Sequence, residues 1–160
     1  MFDRIIRFLE NAKTDVLAFF SSYTLVITTD NELFQAPKWA ARARGVNLRY
    51  ITEITKDNLF YCKRQLNMVD ELRHLDSISG NFILSDSEFI VSPDISPQSL
   101  TTEGFYSNVD KVMKLQRNVF ETFWNYSIPG ELKIMQLEAG DVSIPDRRLP
   151  LSIKGKSMWL

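Results

Sequence analysis

The apolar run Val16-Leu17-Ala18-Phe19-Phe20 constrains this chain most, because it sits directly after the polar Lys13-Thr14-Asp15. An uninterrupted apolar run of this length, bounded by polar residues, reads as a strand buried on both faces. A second strand candidate lies at residues 46–51. Between them, residues 33–44 are rich in Ala and Arg and end at Gly45, where a helix C-cap wants a residue tolerant of positive φ. Strand, helix and strand in this order form the crossover of a parallel βαβ unit, and the fold class is therefore α/β. Upstream, Phe2, Ile5, Ile6 and Leu9 recur at helical spacing, with Arg4, Arg7 and Glu10 elsewhere on the wheel. That pattern predicts a short amphipathic helix.

After Thr52 and Glu53 a second long helix is expected, with Thr55 or Asp57 as N-cap. Its apolar stripe is Leu59, Cys62, Leu66, Val69 and Leu72, and His74 stands at its end. Residues 81–84, the turn Ser85-Asp86-Ser87 and residues 88–91 read as a hairpin. Pro93, Pro97 and the Ser/Thr-rich residues 96–102 read as a loop. A third helix is expected from Ser107-Asn108-Val109-Asp110, a capping-box-like start, with an apolar face through Met113, Val119, Phe120 and Phe123. Pro129 stops this helix or begins another turn. The expected division is one domain over residues 1–140 and a loosely patterned tail over 141–160.

Composition narrows the function classes. A chain of 160 residues with 44% hydrophobic side chains buries about 68–70% of its unfolded surface, enough for a core without disulfides or structural metal. Nineteen basic and 20 acidic side chains give a net charge of −1, which argues against a general nucleic-acid binder. No long uncharged apolar run suggests a membrane span. Asp3, Arg4, Arg7 and Glu10 interrupt anything like a signal peptide, so a cytoplasmic location is expected. One cysteine, Cys62, and one histidine, His74, leave no internal disulfide and no zinc set. No cofactor and no metal is expected.

Reactive groups are few. Cys62 lies on the apolar stripe and reads as a small buried hydrophobe rather than a nucleophile. His74 reads as a cation at a helix C-terminus rather than a catalytic base. Ligands of parallel α/β sheets sit beyond the carboxyl ends of strands. Arg49, Glu53, Thr55, Lys56 and Asn58 near one such end are therefore binding candidates, with Thr55 and Asn58 equally readable as caps. Tyr106, Ser107 and Asn108 form a second polar cluster at a helix start, and His74 and Asn81 could approach the same cleft.

The stretch Ala43-Arg44-Gly45-Val46-Asn47-Leu48-Arg49-Tyr50-Ile51-Thr52-Glu53-Ile54-Thr55-Lys56-Asp57-Asn58, with Tyr61-Cys62-Lys63 and Val69-Asp70-Glu71-Leu72-Arg73-His74-Leu75-Asp76, resembles the input domain of signal-transduction proteins, often histidine kinases, from ammonia-oxidising archaea. The resemblance continues through Gly80-Asn81-Phe82, Tyr106-Ser107-Asn108-Val109 and Phe123-Trp124, covers residues 8–140 and includes no kinase segment. That input domain in turn is similar to half of the phospholipase D fold, which archaeal sugar-responsive transcription regulators also use as a ligand sensor. The resemblance implies a phospholipase D-like half domain with a mixed, mostly parallel sheet flanked by helices. Active members carry H-x-K-x-x-x-x-D on the hairpin. Setting Asp86 at the motif's aspartate puts Asn81 at the lysine and Ser79 at the histidine. The nucleophile and the phosphate-binding cation are then both replaced.

The expectation from these readings is a non-enzymatic sensory domain that binds a small ligand or partner protein. It would signal to a kinase or transcriptional output module, as a homodimer, with no membrane or nucleic-acid partner. The alternative is a divergent phosphodiesterase or nuclease in which His74 takes the nucleophile's role. A third reading is an interaction module dimerising through Phe120, Phe123 and Trp124.

Overall fold

The computed structural model describes residues 2–93 and 103–140. The tail at 141–160 and the expected loop at 96–102 lie outside them. The elements run α1 (Phe2–Asn11), β1 (Asp15–Phe20), α2 (Ser22–Asp30), α3 (Glu32–Ala43), β2 (Asn47–Thr52), α4 (Leu59–Met68), β3 (Glu71–His74), β4 (Asn81–Ser85), β5 (Phe89–Ser92), β6 (Phe105–Ser107), α5 (Asp110–Tyr126), β7 (Ile128–Pro129) and α6 (Gly130–Ala139). The described strands form one seven-stranded sheet in the order β6-β5-β4-β1-β2-β3-β7.

The sheet is mixed, but parallel pairing is confined to its centre. β1 pairs with β2, and β2 with β3, in parallel through helical crossovers. The other pairings, β1–β4, β4–β5, β5–β6 and β3–β7, are antiparallel. The expected mostly parallel arrangement is corrected accordingly. The hairpin turns tightly between Ser85 of β4 and Phe89 of β5, a connection that only antiparallel strands allow.

Alternation along β1 divides the core. Val16, Ala18 and Phe20 join Phe8, Phe34, Leu48, Tyr50 and Ile134 under the layer of α1 to α4 and α6. Leu17 joins Ile51, Phe82, Leu84, Met113 and Phe120 under α5 on the opposite face. Burying each such large apolar side chain contributes roughly 1.5–3 kcal/mol. Gly130 opens α6 against β3, where a Cβ would stand 2.6 Å from the Leu72 carbonyl oxygen. Only glycine permits that approach.

The short strands β6 and β7 and helix α6 had no counterpart in the sequence pattern, and α2 and the segment after α4 differ from it. Helix α2, of Ser22–Asp30, occupies a segment with little helical signal. Ser21 caps it through Oγ to the Thr24 N–H, and Thr28 and Thr29 turn their hydroxyls back onto the carbonyls of Thr24 and Leu25. Its burial against α4 and β1 overrides the weak propensity. The helix after residue 58 ends at Met68, and Val69 is already extended. Asp70 accepts the Leu48 N–H at 2.7 Å through Oδ2 and donates its own N–H to the Leu48 carbonyl. The chain from Glu71 then pairs with β2, so His74 is a strand residue and not the last turn of a helix.

The Phe120 face of α5 is also placed differently from a dimer seam. Phe120 is fully buried against the chain's own sheet, and Phe123 meets Phe19 edge-on at 5.4 Å. Trp124 lies between the guanidinium groups of Arg49 and Arg73, at 4.9 and 5.0 Å from its ring centre. This side of α5 is consumed within the chain.

Candidate functional site

The carboxyl ends of β2 and β3 carry five of the ten predicted binding residues, Glu53, Thr55, Lys56, Asn58 and His74, and all but Lys56 are tied into the loop that follows β2. Asn58 is 1% exposed. Its Oδ1 accepts the Thr55 N–H at 2.9 Å and the Cys62 thiol at 3.3 Å, while Nδ2 donates to Ser22 Oγ at 2.7 Å and the Glu53 carbonyl at 2.8 Å. Glu53 Oε1 accepts the Ser77 N–H at 2.9 Å. His74 Nδ1 accepts the Ile54 N–H at 2.9 Å, and Nε2 faces Asp76 Oδ1 at 3.1 Å. An Nδ1 that accepts places the proton on Nε2, whose N–H then donates to Asp76 Oδ1. This histidine fixes a loop.

Arg49 points to the other face, where it meets Glu121 at 2.6 Å and covers Phe120 and Trp124. Lys56 and Asn108 are exposed. Tyr106 donates its hydroxyl to Glu88 at 3.2 Å under the Arg4 guanidinium, and Ser107 Oγ accepts the Val109 N–H. Burial pushes the Cys62 thiol up to about 12, which leaves it un-ionised and unreactive at neutral pH.

Of the ten predicted residues, Asn81 alone lines the cavity that opens beside the start of β4. This cavity, of about 850 Å3, is bounded by Phe19 of β1, Ser79, Gly80 and Asn81 before and on β4, Val91, Ser92 and Pro93 at the end of β5, and Glu103, Gly104 and Phe105 leading into β6. Its walls are mainly apolar, as small-molecule sites are. Gly80, at φ +76, lies where a Cβ would come 3.1 Å from the Ser92 carbonyl. Asn81 Oδ1 accepts the Ser21 N–H at 3.4 Å, and Nδ2 reaches Ser92 Oγ at 3.4 Å and the Pro93 carbonyl at 3.2 Å. These bonds lie at the long end of the hydrogen-bond range and are weak.

Asp86, at the far end of β4, stands away from the cavity and serves the backbone. Burial works to raise its carboxyl, but the N–H groups of Lys13 and Thr14, at 2.8 and 3.2 Å, outweigh this and hold it below the usual carboxylate range. The sequence signal for the cavity was the pair Ser79 and Asn81 on the hairpin. Phe19, Ser92 and Glu103 carried none, since each joins the site only through strand pairing.

No protein-family profile and no curated protein matches the chain. Solved structures do. The phospholipase D family member Nuc from Salmonella typhimurium superposes with a TM-score of 0.63 at 14% identity, over 79% of this chain and 88% of that one. TrmBL2, an archaeal chromatin protein whose structure shows a novel mode of DNA binding, superposes with a TM-score of 0.61 at 17% identity, over 79% of this chain. The match spans 49% of TrmBL2, about half its length. The fold is thus phospholipase D-like.

That likeness corrects the expectation that the chain is not an enzyme. The expectation came from two positions, Ser79 before the hairpin and Asn81 on it, whereas the fold over 79% of the chain is similar to that of a phospholipase D family member. Activity is decided by the groups a site assembles in space, and a fold shared with an enzyme family removes the ground for setting catalysis aside. Among the described residues, no helix is long and apolar enough to cross a membrane.

Proposed function

We propose that the chain is a cytoplasmic regulatory domain that binds a small molecule in the cavity between β1, β4 and β5 and passes its occupancy to an output module. The output would be a kinase or a transcription regulator, in the manner of the archaeal signal-transduction input domains the sequence resembles, with the domain acting as a homodimer. The observation that carries this reading is the cavity of about 850 Å3, with a loosely bonded asparagine on a mainly apolar wall. The near-neutral charge of −1 supports a small molecule over nucleic acid.

A thermal-shift screen of sugars, nucleosides, amines and phosphorylated metabolites tests it. A ligand present at a hundred times its Kd adds about 3 kcal/mol, which raises Tm by several degrees. The shift should vanish in Asn81→Ala and persist in Lys56→Ala. No shift with any compound overturns the reading.

The likeness to Nuc favours a second reading, phosphodiester hydrolysis at the same cavity. Turnover of bis(4-nitrophenyl) phosphate, lost in Ser79→Ala and retained in His74→Gln, would support it. Both ring nitrogens of His74 are engaged by the loop, so loss on changing His74 alone would require another geometry.

A further inference from the structure

The cavity between β1, β4 and β5 is rich in acceptors and holds no cation. Among its described lining residues there is no Lys, Arg or His, while Glu103 supplies a carboxylate at the rim. Glu103 has no ion-pair partner among the described residues. The carbonyl of Pro93 and the hydroxyl of Ser92 add acceptors beside Asn81. Two aromatic rings, Phe19 and Phe105, stand on the walls, and Phe105 is 58% exposed.

An anionic ligand would have to leave water for a site with no positive group, which disfavours it strongly. It would also meet the Glu103 charge. A cation gains from the carboxylate and the neighbouring acceptors, which attract it, while Phe19, stacked on Phe82 at 4.7 Å, and Phe105 offer apolar surface. The apolar walls then require a carbon body attached to the charge.

We propose that the cavity binds a small organic amine with an apolar body, and excludes phosphorylated ligands. This rests on the ligand-binding reading above and deepens it. The ammonium would lie against Glu103 and the acceptors at the end of β5, with the apolar part against Phe19 and Phe105.

Three probes of similar size separate the possibilities: 2-phenylethylamine, 2-phenylethanol and phenyl phosphate. Each is titrated into the full chain and followed by amide chemical shifts at Phe19, Ser79, Asn81 and Phe105. The amine should bind at least tenfold more tightly than phenyl phosphate, with the alcohol between them. Glu103→Gln, a change at an exposed position, should bring the amine close to the alcohol, and raised salt should narrow the gap. Equal or tighter binding of phenyl phosphate overturns the amine proposal and leaves the cavity as a ligand site. A preference unchanged in Glu103→Gln also overturns it. Absence of any shift at these amides with all three probes removes the ligand site itself, and the amine proposal with it.

Discussion

Asn58, just before α4, and Asn81, at the start of β4, are both buried asparagines, 1% and 6% exposed, yet their amides are bound in different ways. Asn58 fills its bonding capacity with groups of its own loop and of helices α2 and α4, three of these bonds at 2.7–2.9 Å. Asn81 makes three contacts of 3.2–3.4 Å and borders a cavity. A saturated amide holds a loop in place, whereas a loosely held one beside open space can exchange a weak internal bond for a ligand. Residue type and burial are the same in both; the number and length of the bonds separate structure from recognition.

Lys38 sharpens this comparison, because it is buried like Asn58 but poorly bonded like Asn81. Its ammonium reaches Gln65 Oε1 at 3.2 Å and the Thr28 carbonyl at 3.4 Å over the Tyr50 ring, while Gln65 Nε2 has no partner among the described residues. Burial lowers its pKa from 10.5 to about 7. The folded state therefore holds fewer protons than the unfolded one between about pH 7 and 10.5, and stability should rise with pH across that window. Below about pH 7 the penalty is present in full; above 10.5 it is gone. Lys38→Met should stabilise the protein by on the order of 4 kcal/mol at pH 6 and by far less at pH 11, in urea unfolding. A gain independent of pH would show that Lys38 is not held away from solvent.

Asn58→Ala comes next. It strands the Thr55 N–H, the Glu53 carbonyl and Ser22 Oγ together, and should cost about 3 kcal/mol in the same measurement. Ligand affinity in the surviving folded fraction should not change. A loss under 1 kcal/mol would mean that the loop finds other partners, and the contrast with Asn81 would fail. The smallest stability effect belongs to Asn81→Ala, about 1 kcal/mol, because its bonds are long and the cavity offers room for water. Its effect on binding should be the largest of the three. If stability fell by as much as in Asn58→Ala, Asn81 would be a structural residue as well.

The elements legible in the sequence were those whose apolar pattern is local. β1, β2, the hairpin of β4 and β5, and the helix closed by Gly45, at φ +88, follow from runs of fewer than fifteen residues. β3 did not, because Leu72 continues the stripe of α4 and its strand state depends on Asp70 and Glu71 pairing with β2, about twenty residues away. His74 was misread for the same reason. Of the site, Ser79 and Asn81 were legible through the hairpin, whereas Glu103 and Phe105 arrive beside Phe19 only through the β4–β5–β6 ladder.

Sequence alone determined the α/β class, the βαβ start and the near balance of charge, since these depend on short-range periodicity and on counting. Tertiary structure decided which polar side chains are consumed by the fold and which face open space. A hydrogen-bond partner is chosen by proximity in three dimensions, and an asparagine carries no mark of whether its partner will be a neighbouring loop or a ligand.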